Sequence, residues 1–290
     1  MRRPTPDGRL ATREGLKRLR GRPGVPPEYL DFRLRVHELQ WVVWDELVAR
    51  GALAASRPAS ASGAVTAADL ALDDGLLLGT LEALGVVLPD RLEPQVGARA
   101  LLEAARPSPG LLRELAVTAA FAPVEAAVEE HAGRIGCSTD ALLFFGRVLA
   151  APFVTAAVCR PGPTDGAEAG ERSLRCPACG ATPGLAVLAG ERGARTLCCS
   201  LCGTSWPAAR AQCPFCGGTT ALGLIEEPGE RVRRLETCDD CRYYILTVDA
   251  RSPGREGPVL PLVEVVEGLY LDLIAETHGC RRGLPYAALV

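Results

Sequence analysis

Eight of the chain's twelve cysteines stand in four C-x-x-C pairs: Cys176/Cys179, Cys199/Cys202, Cys213/Cys216 and Cys238/Cys241. Two intervening residues let one tight turn aim both sulfurs at a common point. Four such sulfurs around a point make a tetrahedral site that suits zinc or iron. Glycine follows three of the four pairs (Gly180, Gly203, Gly217), where a positive φ lets the chain turn away from the sulfurs. No histidine lies between the pairs, so the expected ligand set is all cysteine: two metal ions, zinc or iron, each held by four thiolates.

The spacing bears on which pairs share an ion. Nineteen residues separate Cys179 from Cys199 and twenty-one separate Cys216 from Cys238, against ten between Cys202 and Cys213. A gap near twenty fits a hairpin that returns the second turn to the first. Two matching gaps therefore favour two successive copies of one unit, the first using Cys176, Cys179, Cys199 and Cys202, the second Cys213, Cys216, Cys238 and Cys241. The rival is a cross-brace in which the first and third pairs share an ion. Structural disulfides need an oxidising compartment, and no export signal is apparent. A redox C-x-x-C stands alone at a helix start, and buried free thiols would not recur at this interval.

The elements that must position these turns differ along the chain. With 290 residues and 48% hydrophobic content, two domains with a proper core are expected. Residues 1–26 read as a flexible basic arm. Residues 27–160 read as a helical domain, with helices over 27–50, 91–105, 110–121, 123–134 and 138–159 and one or two short helices between Leu70 and Leu88. In the first of these helices Leu30, Leu34, His37, Trp41, Trp44 and Val48 form one row, and Phe32, Val36, Leu39, Val43 and Leu47 a second, which implies a wide buried face. His37 reads as a hydrogen-bonded helix residue. Ser138 can cap the last helix, Leu142, Phe145, Leu149 and Phe153 are its core face, and Pro152 should bend or break it. Cys137 and Cys159 read as small core residues. Residues 161–171 are a linker.

Between the cysteine turns the chain becomes strand-like: Leu185–Leu188, Arg195–Cys199, Thr204–Ala208, Leu222–Ile225, Arg231–Glu236 and Tyr243–Val248. The first metal module is expected over 172–208, the second over 209–250, and a C-terminal helix and tail over 251–290, with the helix at 261–278. The fold class is thus α+β. Each small sheet buries little, so a metal must hold it.

Charge narrows the function. The formal net charge of −3 becomes roughly −7 with eight thiolates and two divalent ions. Residues 171–250 carry nine Arg and nine acidic residues, so the metal region lacks the basic footprint of a nucleic-acid binder. No run of about eighteen uninterrupted apolar residues occurs, so no membrane insertion is expected. The expected location is the cytoplasm. The three histidines (His37, His131, His278) limit general-base chemistry.

At C-P-A-C-G, L-C-C-S-L-C-G-T-S-W, C-P-F-C, C-D-D-C-R-Y-Y, the helix Y-L-D-F-R-L-R-V-H-E-L-Q and the C-terminal L-Y-L-D-L-I-A-E-T-H-G, the chain resembles the formate dehydrogenase accessory protein FdhE family. The resemblance implies a helical N-terminal region followed by two tandem rubredoxin-like metal modules. It carries the ligand role onto the eight paired cysteines. It also implies a cytoplasmic assembly protein, and no enzyme, that binds the catalytic subunit of a molybdenum- or tungsten-dependent formate dehydrogenase during maturation. The alternative is a thiol-redox enzyme acting on the client's cofactor or active-site residue, for which Cys198, surplus to the eight and beside a metal turn, is the candidate. Cys198 falls where some family members carry His. Its other reading is a small strand residue.

Overall fold

The computed structural model describes residues 4–54, 56, 64–86, 93–108, 110–121, 124–161, 173–253, 255 and 257–289. The expected linker, apart from Pro161, lies outside them. The chain divides into two compact units, Met1–Leu30 with Thr164–Tyr286 and Val290, and Asp31–Pro163 with Ala287–Leu289.

The helical unit is built on α2 (Pro27–Ala49), α3 (Asp74–Gly85), α4 (Glu93–Ala105), α5 (Gly110–Phe121), α6 (Val124–Ile135) and α7 (Thr139–Cys159), with a 3-10 turn at Ala67–Asp69. Helix α7 is apolar on every side and buried nearly throughout, as a central core helix must be. It has the length and composition of a membrane span, but 89% of its apolar window is buried inside the protein. Close approach to α5 depends on Gly146, where a Cβ would lie 2.7 Å from that of Ala119. Ser138 caps α7, its Oγ accepting from the Ala141 N–H at 3.2 Å. Both apolar rows of α2 are largely buried, and His37 is buried with its ring edge-on to Trp41.

Pro152 does not break α7, which runs unbroken from Thr139 to Cys159. A proline lacks the N–H that would bond the carbonyl four residues back, here that of Val148. Gln40 on α2 supplies the missing donor: its Nε2 donates to Val148 O at 3.1 Å and to Ala287 O at 2.9 Å. The orphaned acceptor is thereby satisfied inside the core, which removes much of the cost.

The sheet unit contains β1 (Pro183–Ala189), β2 (Ala194–Cys199), β3 (Ser205–Ala208), β4 (Leu222–Ile225), β5 (Arg233–Cys238) and β6 (Tyr243–Asp249), close to the six expected strands. Strands β1–β3 form one antiparallel meander and β4–β6 a second. The two rubredoxin-like modules do not stay separate. Parallel pairing of Ala186–Leu188 with Thr247–Asp249 joins β1 to β6, giving one sheet in the order β3-β2-β1-β6-β5-β4. Helices α8 (Pro261–Glu267) and α9 (Leu269–Thr277), split at Gly268, follow the sheet, and β7 (Arg281–Arg282) pairs with β6. The single expected helix over 261–278 is therefore two.

The arm expected over residues 1–26 is corrected as well. Pro6–Arg18 forms helix α1 in the sheet unit. Thr5 caps it, its Oγ1 accepting from the Gly8 N–H at 3.1 Å, with Pro6 at the first turn, Asp7 near the N-terminus and Lys17 and Arg18 in the last turn. These are the ordinary start and stop signals of a helix. Leu16 is fully buried, and a Cβ on Gly15 would lie 2.7 Å from Val263 Cγ2, so that glycine permits α1 to pack on α8.

Candidate metal centres

Three of the four cysteine turns, the first, third and fourth, close with the same backbone bond. In the first, Gly180 N–H donates to Cys176 O at 2.8 Å; in the third, Gly217 N–H donates to Cys213 O at 3.0 Å. Gly180, Gly203 and Gly217 all have positive φ, 73°, 72° and 81°. The fourth turn carries Arg242 at the matching place, with φ 60°, a conformation that costs a non-glycine residue about 1–2 kcal/mol. Its side chain offsets that cost with bonds a glycine could not make: Nη2 donates to His278 O at 2.6 Å and Nη1 to Asp239 Oδ1 at 3.0 Å. The turn is thus tied to the chain just ahead of β7.

The sulfurs meet in two groups of four. Cys176, Cys179, Cys199 and Cys202 form the first and Cys213, Cys216, Cys238 and Cys241 the second, with all sulfurs of a group within 4.8 Å of one another. These are the sequential sets; the first and third pairs do not come together, so the cross-brace is not the arrangement formed. Across the first group Cys176–Cys202 sulfurs are 3.7 Å apart and Cys179–Cys199 are 3.5 Å apart. Across the second, Cys213–Cys241 and Cys216–Cys238 are each 3.7 Å apart. A disulfide needs about 2.05 Å, so these are not disulfides. A tetrahedron with metal–sulfur bonds of about 2.3 Å has an edge of about 3.8 Å, and both groups fit a metal with four thiolate ligands on that measure.

Backbone donors face the sulfurs. Leu201 and Cys202 N–H both donate to Cys199 Sγ at 3.4 Å, and Phe215 N–H donates to Cys213 Sγ at 3.4 Å. Burial raises the Cys199 thiol, but hydrogen bonds from Cys176, Cys179, Cys202 and the Cys202 N–H outweigh it and hold the group well below its ordinary value. Contact with Cys176 is the main cause that pushes Cys179 and Cys202 well up. In the second group burial drives Cys241 up to about 12, while the Gly218 N–H holds Cys216 below the usual thiol value. Each group thus has one sulfur favoured as thiolate and neighbours that retain protons. A metal that binds all four must displace those protons, so affinity falls as pH falls.

Cys198 lies on β2, buried, with its sulfur 3.4 Å from Ser205 Oγ across the β2–β3 pair. Burial raises its thiol above the ordinary value. A reactive thiol needs exposure and a stabilised thiolate, so this is the environment of a packed strand residue. Cys159 is buried and Cys137 half-buried, and neither belongs to either group.

A feature that the sequence reading missed is Arg195 on β2. Its buried guanidinium donates to Ala209 O at 3.0 Å and Gln212 O at 2.8 Å, and pairs with Glu236 on β5 at 2.7 Å. One side chain in the first module thereby fixes the turn into Cys213 and reaches the second.

The chain is similar to known proteins in sequence and in fold. The family described as "FdhE, central domain" matches residues 175–210, which hold the first four-sulfur group. The Protein FdhE homolog of Aquifex aeolicus is 31% identical over 109 residues, 36% of this chain and 38% of that protein. The homolog of Haemophilus ducreyi is 34% identical over 122 residues, 41% of this chain and 39% of that protein. The chain therefore matches well under half the length of these curated relatives. The crystal structure of the FdhE protein from Pseudomonas aeruginosa superposes with a TM-score of 0.66 at 23% identity, covering 100% of this chain and 98% of that one. The resemblance to the FdhE family thus holds in sequence and in fold: the chain carries an FdhE central domain and adopts the fold of an FdhE protein.

Proposed function

We propose that the chain is an accessory protein that binds the catalytic subunit of a molybdenum- or tungsten-dependent formate dehydrogenase during maturation in the cytoplasm. In this reading the eight paired cysteines hold two metal ions, zinc or iron, in modules spanning residues 172–208 and 209–250. The observation that carries it is the completeness of both four-sulfur groups. A catalytic zinc keeps a position open for water or substrate, whereas four protein ligands close the site and make it a structural element. The metals then supply shape: each pins two turns, and the joined sheet β3-β2-β1-β6-β5-β4 presents an extended rigid surface to a protein client. The buried Cys198 supports recognition over thiol chemistry.

An assembly factor must release its product. The cofactor-free catalytic subunit should therefore bind more tightly than the cofactor-loaded one, by about tenfold or more, which is about 1.4 kcal/mol. Titration calorimetry with both forms of the client measures this. Equal affinity, or none for either form, would remove the assembly reading. Cys198→Ala should leave the affinity unchanged.

A further inference from the structure

The opening turns of the two four-sulfur groups differ at two positions of the repeated motif, and the second of these bears on the sulfur. The first group opens with Cys176, Pro177, Ala178, Cys179, Gly180 and Ala181; the second opens with Cys213, Pro214, Phe215, Cys216, Gly217 and Gly218. Cys176 N–H donates to Ala181 O at 2.9 Å and Cys213 N–H donates to Gly218 O at 2.8 Å. Ala181 and Gly218 are therefore structurally equivalent. Ala181 is buried with its methyl group in the first turn. At Gly218 a Cβ would lie 3.4 Å from Cys216 Sγ and 3.0 Å from Asp240 Oδ2. The glycine thus leaves bare a sulfur that a methyl group would cover.

The closing turns differ in the same sense. Between Cys199 and Cys202 stand Ser200 and Leu201, both fully buried; between Cys238 and Cys241 stand Asp239 and Asp240, both exposed. All four sulfurs of the first group belong to buried residues, whereas Cys216 is exposed and Cys241 half-buried.

Resting on the metal reading above, we propose that the second group is an exchange centre, which passes its metal to and takes it from thiol ligands in solution through Cys216, while the first group retains its metal. In the step, an incoming thiol gives its proton to water and its sulfur forms a bond to the metal. The Cys216–metal bond breaks, and the Cys216 thiolate takes a proton from solvent. No electron is transferred. Repeated at the other sulfurs by a dithiol, the exchange releases the ion. Access to the sulfur sets the rate, because the shell around a metal site controls what reaches it. Asp239 and Asp240, with the net negative charge of a four-thiolate centre, oppose an anionic ligand, so a neutral dithiol is the effective partner.

The metal-loaded full chain, incubated with an isotopically distinct pool of the same metal and dithiothreitol, provides the test. Intact mass should show one ion per chain exchanging at a rate that rises with dithiothreitol, and the other retained. Gly218→Ala should slow that exchange about tenfold with both ions still bound. Ala181→Gly, the reciprocal change, should speed exchange at the first group. Alkylation mapped by peptide mass should label Cys216 before any other ligand. Equal rates at both groups, faster exchange at the first, or no effect of Gly218→Ala overturns the inference. A chain that takes up no metal overturns the metal reading itself, and this inference with it.

Discussion

Cys199→Ser is expected to lower bound metal from two ions per chain to one and to unfold the first meander. Cys199 is fully buried and closes β2, and its sulfur accepts two backbone N–H groups at 3.4 Å. Serine offers a harder, shorter donor that is protonated at neutral pH, so three thiolates remain around a position with no fourth. Structural zinc contributes about 10–16 kcal/mol of apparent binding free energy in small sites, against about 5–15 kcal/mol for the whole stability of a typical domain. Losing most of it exceeds what the short strands β1, β2 and β3 can replace. The damage should pass to β6, whose edge pairs with β1, and appear as lost amide protection at Thr247–Asp249. Metal analysis and hydrogen exchange on the purified variant check both parts. Two ions retained, or protection lost first around Cys213 and Cys238, would contradict the sequential pairing.

Arg233→Met is expected to cost about 3–5 kcal/mol of stability while leaving two ions bound. Arg233 on β5 is buried, with Nη2 at 2.7 Å and Nε at 3.0 Å from Glu264 Oε2, and it also reaches Glu267. Glu230 lies at 3.6 Å and accepts from Tyr270 OH at 3.1 Å. Methionine fills the space but leaves carboxylates buried beneath α8 with part of their compensation gone. Arg255, whose Nη2 lies 2.6 Å from Glu264 Oε1, and Arg22, which pairs with Glu267, remain to limit the loss. The double change Arg233→Met with Glu264→Gln should recover part of it, because the stranded charge is then removed. Chemical denaturation of the metal-loaded proteins measures the difference. A loss under about 1 kcal/mol would place Arg233 among ordinary surface pairs.

Local signals made much of this architecture legible. The six strands alternate between turn residues and fall within a few residues of their expected places, because period-two patterning and the cysteine turns punctuate them together. The two four-sulfur groups followed from similar gaps, since gap length bears on which turns a hairpin can bring together. Helix α1 was legible in principle: Thr5, Pro6 and Asp7 form a start signal, but its apolar content is low and its docking depends on Gly15 meeting Val263. What could not be read depends on residues far apart in the chain. The β1–β6 pairing joins strands some sixty positions apart, and parallel pairing leaves no turn to announce it. Pro152 looked like a helix breaker because the donor that compensates it, Gln40, lies more than a hundred residues upstream. The Arg233 cluster likewise draws Glu264 and Glu267 from α8, far along the chain from β5.

The central claim, two complete four-sulfur metal centres, is tested most directly by X-ray absorption at the metal edge together with the metal content of the chain as purified. The account predicts two ions per chain, with four sulfur scatterers per ion at about 2.3 Å and no light-atom ligand in the first shell. A single ion per chain, or nitrogen or oxygen ligands replacing sulfur, would contradict it.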